Sequence, residues 1–291
     1  MKRITSILIV LTLVLTFGLG TAFAEGQGEG QSEEEKGTVE LGYMPWIGER
    51  AATNVAAVVL DEMGYDVQLT EADAGVVWSG VGTGDIDAHL AGWMPNLHAQ
   101  YLEENEDGLE EIGTALDATT EGLAVPTYVD DDIQTIGDLE EHADKFGNEI
   151  VGIDPGAGIM STTEDVIEDY GLSLRLVESS GPAMASALLD AASDEEPIVV
   201  TAWQPHPMWG QVDLRYLEDP NGHFTEGYVG TFARNGLEED MPEVHEFLSN
   251  FNWSASDISN LLVNMSEGND DYEAAQEWVE NNRDLVASWM P

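Results

Sequence analysis

Cysteine is absent from this chain of 291 residues, and positive charge nearly so: nine Lys and Arg stand against 57 Asp and Glu, a formal net charge of -48. Without cysteine there is no disulfide, no thiol nucleophile, no Cys-ligated zinc and no lipidated amino-terminal cysteine. Without positive charge, nucleic acid and anionic bilayers are excluded as partners, because a phosphate backbone would be repelled. The familiar catalytic signatures are missing too. There is no Gly-x-Ser-x-Gly elbow, no H-E-x-x-H helix, no Walker loop and no G-x-G-x-x-G fingerprint, and the acidic pairs are too numerous to single out a catalytic couple. The chain is therefore not expected to be an enzyme, and no cofactor is expected. Beyond the first residues, no stretch approaches the roughly 18 apolar residues that a membrane span needs.

What is present is enough apolar material for a packed core: 43% of the residues are hydrophobic. With aromatic residues at 8% of the whole chain, that argues against disorder despite the charge, which belongs to the surface. Lys2 and Arg3, the apolar run from Ile4 to Leu19, and Ala22-Phe23-Ala24 form a secretory signal peptide, residues 1–24, with cleavage expected after Ala24. The product is then expected in the periplasm. Residues 25–37 contain no large apolar residue and read as a flexible acidic leader. So little Lys with so much Asp and Glu fits a halophile, whose external salt screens the self-repulsion.

From Thr38 the chain alternates short apolar runs with helical spacings, the pattern of parallel βαβ units. Strands are predicted at Val39 to Tyr43, Val67 to Leu69 and Ile86 to Trp93, with helices before Gly64 and from Gly75 to Gly82. A second series follows Pro126: a helix from Thr135 to Phe146, a strand from Glu149 to Asp154, a helix from Ser161 to Tyr170, and strands at Leu174 to Val177 and Ile198 to Trp203 around a helix from Ala183 to Ala192. After Gly227 the pattern turns helical, with Val244, Phe247, Leu248 and Phe251 at i, i+3, i+4, i+7 and Trp278, Leu285 and Trp289 at i, i+7, i+11.

Of the eight tryptophans, Trp253, Trp278 and Trp289 fall on the apolar stripes of the terminal helices and are assigned to the core; Trp78 and Trp209 also read more readily as packing. Trp46, Trp93 and Trp203 differ. Each falls at or just beyond the carboxyl end of a predicted strand, beside proline or glycine: Met44-Pro45-Trp46, Gly92-Trp93-Met94-Pro95 and Ala202-Trp203-Gln204-Pro205. In open parallel sheets that rim binds ligands, although position alone suits a capping aromatic equally. The segment Gly152-Ile153-Asp154-Pro155-Gly156-Ala157-Gly158-Ile159-Met160 runs a strand through a glycine turn into a helix, whose first N–H groups suit a carboxylate or phosphate. On its own it reads as an ordinary tight turn. His98, five residues beyond Trp93, can donate to an anion from the same loop; His98 and His206 have no recognisable metal-ligand spacing, and no metal is expected. Several Trp faces around one spot attract a quaternary ammonium through the ring quadrupoles. A helix start opposite them would take a carboxylate, so a small zwitterion with a methylated ammonium at one end fits both.

The segments Leu41 to Asn54 (LGYMPWIGERAATN), Ala74 to Gln100 (AGVVWSGVGTGDIDAHLAGWMPNLHAQ), Gly152 to Thr163 (GIDPGAGIMSTT) and Val200 to Trp209 (VTAWQPHPMW) resemble the glycine betaine/proline betaine-binding proteins of ABC importers, and the resemblance covers essentially all of Thr38 to Pro291. It implies an ammonium cage at Trp46, Trp93 and Trp203, and a carboxylate held by the backbone N–H groups of Gly158 and Ile159 with help from His98. It implies an α/β two-lobed periplasmic binding protein fold of type II, with a ligand cleft between lobes and two hinge crossings near Pro126 and Thr225. Residues 38–125 and 225–291 would form lobe I, and residues 126–224 lobe II.

The function this resemblance implies is capture of glycine betaine, and of proline betaine, for osmoprotectant uptake through ABC permease subunits in the inner membrane. A monomer is expected. Ile47-Gly48-Glu49-Arg50 departs from the more usual acidic and Ser-containing versions of the stretch after the first cage residue. The rival readings are a choline or carnitine receptor of the same family; from another class, a secreted carbohydrate-active enzyme, which would also display Trp and carboxylates; and an adhesive surface protein.

Overall fold

The computed structural model describes residues 36–291; the expected signal peptide and the leader up to residue 35 lie outside the described residues. The first half of the chain runs β1 (Thr38–Tyr43), α1 (Ile47–Glu62), β2 (Asp66–Glu71), α2 (Ala74–Thr83), β3 (Ala88–Met94), α3 (Ala99–Asn105) and the long β4 (Leu109–Pro126). Then follow β5 (Glu149–Val151), α4 (Gly158–Tyr170), β6 (Arg175–Val177), α5 (Gly181–Ser193), β7 (Val200–Gln204), α6 (Met208–Gln211), β8 (Leu214–Tyr216) and β9 (Gly227–Arg234). The chain closes with α7 (Leu237–Asp240), α8 (Pro242–Asn250), α9 (Ala255–Ser266), α10 (Asp271–Asn281) and α11 (Arg283–Ala287). Helix α1 buries every residue from Ala51 to Leu60, so its run of Ala and Val suits a helix enclosed on nearly all sides, and it ends where Gly64 turns left-handed at φ +94°.

The strands hydrogen-bond in the order β2-β1-β3-β9-β4-β7-β5-β6, with β8 paired to the far end of β4. Two parallel sets, β2-β1-β3 and β7-β5-β6, flank β9 and β4, which run antiparallel to their neighbours. Strand β4 changes partner along its length: Leu109 to Thr119 pair with β9, and Thr120 to Ala124 pair with β7. The carboxyl ends of β1, β3, β5 and β7 are thereby brought to one place.

The sequence pattern missed β4 and β9. Along β4 the ladder shifts register between Glu111 and Gly113, Thr114 and Leu116, and Leu116 and Thr119, so no continuous alternation survives to be read. In β9, Gly227 and Gly230 look like breakers, yet Gly227 is required by close approach: a Cβ there would lie 2.3 Å from the Met94 carbonyl oxygen. The helix expected from Thr135 to Phe146 is instead two single 3-10 turns, Ile136–Leu139 and Ala143–Phe146, each burying its apolar pair. A continuous helix would set Asp138 near Glu141 and Glu140 near Asp144, like charges one turn apart.

The apolar spacing Trp278, Leu285, Trp289 does not belong to one helix either, because α10 ends at Asn281 and Trp289 lies beyond α11. Trp253 precedes α9 in a bridge to Leu116. All three are nonetheless core: with Phe251 they form a buried aromatic cluster in which Trp278 and Trp289 stack at 6.1 Å and 9°. No helix among the described residues is long and apolar enough to cross a membrane.

Candidate ligand pocket

Trp46 flanks the start of α1, Trp93 sits at the end of β3, Trp203 near the end of β7, and Gly158 and Ile159 open α4 beyond β5. All six residues expected at the site, including His98, line one cavity. Gly48, Glu49, Leu97, Ile153 and Ala157 complete its wall, and its cavity volume is small, about 30 Å³. A small solute fits such a volume better than an oligosaccharide does.

The indole edges are tied back into the protein. Trp46 donates its Nε1–H to Asp154 Oδ2 at 3.2 Å, and Trp93 donates its own to Glu49 Oε1 at 3.1 Å. Trp203 is held through its backbone carbonyl, which accepts the Trp209 Nε1–H at 2.8 Å. With their donors spent, Trp46 and Trp93 have only π surface to offer a ligand, and a π face attracts a cation without needing N–H groups on it. Both Trp93 and Trp203 precede a cis X-Pro bond, at Met94-Pro95 and Gln204-Pro205.

His98 is 1% exposed, between β3 and α3. Its Nδ1 accepts the backbone N–H of Trp93 at 3.2 Å, which leaves the proton on Nε2, and that atom has no partner among the described residues. Burial lowers its pKa to about 3, against a smaller opposing pull from the Ala91 carbonyl, so the ring is a neutral donor. Tryptophan rings stand on two sides of it: Trp46 at 5.9 Å, and Trp78, fully buried beneath, edge-on at 5.8 Å.

The wall formed by Gly158 and Ile159 is a helix start without a side-chain cap. Ala157 offers α4 no side-chain acceptor, Met160 N–H closes on the Ala157 carbonyl, and the N–H groups of Gly158 and Ile159 meet no acceptor among the described residues. Gly158 has no room for any other side chain, since a Cβ there would lie 1.9 Å from the Leu97 carbonyl oxygen. Tyr101 bridges the same gap, donating to the Gly156 carbonyl at 2.6 Å. Two adjacent backbone donors with the His98 Nε2–H can hold a carboxylate with no cationic side chain present.

Glu49 and Asp154 escaped the sequence reading as individual residues. Glu49 is 2% exposed, and its carboxylate accepts the Trp93 indole N–H and, through Oε2, the Met44 backbone N–H at 3.2 Å. Burial pushes its pKa well above the usual carboxylate range, the two hydrogen bonds opposing that rise. Nothing distinguishes one acid among 57 in composition; the available signal was its place in the first turn after Trp46, where a helix start favours negative charge. His206 lies edge-on to Trp203 at 4.8 Å but outside the pocket wall. Among the described residues no group of three His, Asp or Glu is placed to hold a metal ion.

Aromatic surface and free helix-start amides gathered at strand ends define a binding protein for small solutes. The chain matches the family described as the substrate binding domain of ABC-type glycine betaine transport systems over residues 37–281. It is 44% identical over 144 residues to the glycine betaine/carnitine transport binding protein GbuC of Listeria monocytogenes, a match that spans 48% of this chain and 48% of that protein, so about half the length of the curated relative. Among solved structures it is similar to the glycine betaine, L-proline ABC transporter binding protein ProX of Borrelia burgdorferi, at 34% identity, a TM-score of 0.84, and coverage of 87% of this chain and 97% of that one. It is likewise similar to lactococcal OpuAC in its closed form complexed with glycine betaine, at 34% identity, a TM-score of 0.83, and coverage of 88% and 100%. The chain belongs to this family of substrate-binding proteins, with its mixed α/β fold.

Proposed function

We propose that the chain is the extracytoplasmic receptor of an ABC importer and captures glycine betaine, with proline betaine as a second ligand, for delivery to permease subunits in the inner membrane. It works as a monomer in the periplasm, released by cleavage after Ala24, and it performs no catalysis. Trp46, Trp93 and Trp203 cage the ammonium; Gly158, Ile159 and His98 hold the carboxylate. The observation that carries this reading is that one small cavity joins three tryptophans to two unclaimed helix-start amides and the free Nε2–H of a neutral histidine. The lobes are residues 38–125 with 225–291, and residues 126–224. The two crossings of this reading lie near Pro126 and Thr225, and the change of β4 from β9 to β7 between Thr119 and Thr120 supports a hinge in that strand. Trp46, Trp93 and His98 then face Gly158, Ile159 and Trp203 across the cleft, so a ligand that touches both sides favours closure.

Carnitine is the second reading within the family, because it keeps both charged ends and the Listeria relative carries it in its name. Choline lacks a carboxylate and would leave the Gly158 and Ile159 amides without an anion. Calorimetry on two variants tests the cage. A desolvated cation–π contact contributes about 2 kcal/mol, so Trp203→Ala should weaken glycine betaine binding by at least about tenfold. Trp278→Ala, in the C-terminal aromatic cluster, should lower the melting temperature while leaving the affinity of the folded fraction unchanged. Equal losses of affinity would refute the cage.

A further inference from the structure

Among the described residues Glu49 is a buried carboxylate without a cation. Its two oxygens are met only by neutral donors, the Trp93 indole and the Met44 amide. Arg50, beside it on α1, is closed on Asp271 by two bonds of 2.7 Å. His98, from the segment after β3, is neutral, and Asp154, on the turn after β5, lies beyond Trp46 and is another acid. The start of a 16-residue helix and two hydrogen bonds offset part of the cost of a buried negative charge. They do not replace a counter-ion, since buried charges are ordinarily paired or neutralised by a proton. The space Glu49 borders is the pocket itself.

We propose that Glu49 is the counter-ion of the pocket: protonated when the site is empty, it ionises as a quaternary ammonium enters, and its proton passes to solvent. This deepens the proposed function and rests on the pocket binding such a cation. The ligand supplies the positive charge that the fold withholds, so cation binding and proton release are linked, and each strengthens the other by the same factor. A ligand of the same shape without the positive charge gains nothing from Glu49. The residue also positions Trp93, but a purely structural tie would move no proton.

The test is calorimetric titration of the full chain with glycine betaine from pH 5 to 9, in paired buffers of different ionisation enthalpy. Wild type should release up to one proton per ligand. Its affinity should rise by up to about tenfold per pH unit while Glu49 titrates, then level off. Glu49→Gln, checked for folding by circular dichroism, should release none and show a flat, weaker profile. 3,3-Dimethylbutanoate, the isostere with carbon in place of the ammonium nitrogen, keeps the carboxylate but carries no cation and should release no proton from wild type. Glu121, on β4 opposite Trp203, is the rival source, since burial raises its pKa to about 7. Glu121→Gln should therefore keep the release. Binding by wild type without proton release, or release that persists in Glu49→Gln, would overturn the proposal; either result can be told from a failure of the functional reading, in which glycine betaine gives no binding at any pH.

Discussion

The indole N–H of Trp46 and the carboxylate of Asp154 meet at 3.2 Å across 108 residues of sequence. The bond fastens the entry of α1 to the turn that leads into α4, and Asp154 Oδ2 also accepts the Gly181 N–H at 3.3 Å at the start of α5. One carboxylate thus holds the Trp46 ring in place against the turn that leads to the Gly158 and Ile159 amides.

Trp46→Phe keeps an aromatic face and removes this donor. A hydrogen bond to a charged group is worth about 1.5 to 3 kcal/mol, so glycine betaine affinity should fall by about tenfold or more. Asp154→Ala should cost a comparable amount, and the double variant little beyond either single change. Fully additive losses in a calorimetric double-mutant cycle would show that the bond does not position the ring.

Gly158→Ala places a methyl 1.9 Å from the Leu97 carbonyl oxygen, so the segment carrying His98 and the start of α4 could no longer close on each other. Betaine binding should drop by more than about a hundredfold, the loss of two backbone hydrogen bonds to a charged carboxylate. Gly181→Ala, at the start of α5 with open space around it, should stay within about 0.5 kcal/mol of wild type in stability. Titration of Gly158→Ala with glycine betaine and urea unfolding of Gly181→Ala check the two expectations.

His89 is fully buried with both ring nitrogens unpartnered, edge-on to Trp78 at 4.5 Å and stacked on Phe232 at 5.5 Å. Burial, with the neighbouring His98, lowers its pKa from 6.5 to about 3. Between those values the unfolded chain holds the extra proton, so the stability associated with neutral His89 is complete above pH 6.5 and shrinks as the pH falls toward 3. The raised carboxyls of Glu49 and Glu121 act in the opposite sense and are common to both proteins. Urea unfolding of His89→Leu should therefore show an acid limb flatter by up to one proton, about 1.4 kcal/mol per pH unit. An unchanged slope would place the titration elsewhere.

The parallel units were legible because each joins a short apolar strand to a helix of the right period, and their carboxyl ends named Trp46, Trp93 and Trp203 before any contact was known. Strands β4 and β9 were not legible. One is interrupted by shifts of register and the other is opened by glycines that a neighbouring backbone requires, and neither feature leaves a period of two. Partnership was equally hidden: the sequence offers Glu49 and Asp154 as two acids among many, and only the folded chain puts one beside Trp93 and the other beside Trp46. His98 was named for its nearness to Trp93, but the bond that leaves its proton on Nε2 is a tertiary detail.

The most direct measurement is a calorimetric comparison of glycine betaine, choline and 3,3-dimethylbutanoate on the wild-type protein at one pH and one salt concentration. Each of the latter two retains one half of the zwitterion. If the pocket reads both ends, glycine betaine binds at least about tenfold more tightly than either, since the cage contributes about 2 kcal/mol and the two amides with His98 a comparable amount. Choline binding as tightly as glycine betaine would contradict the anion end formed by Gly158, Ile159 and His98, and 3,3-dimethylbutanoate binding as tightly would contradict the cage.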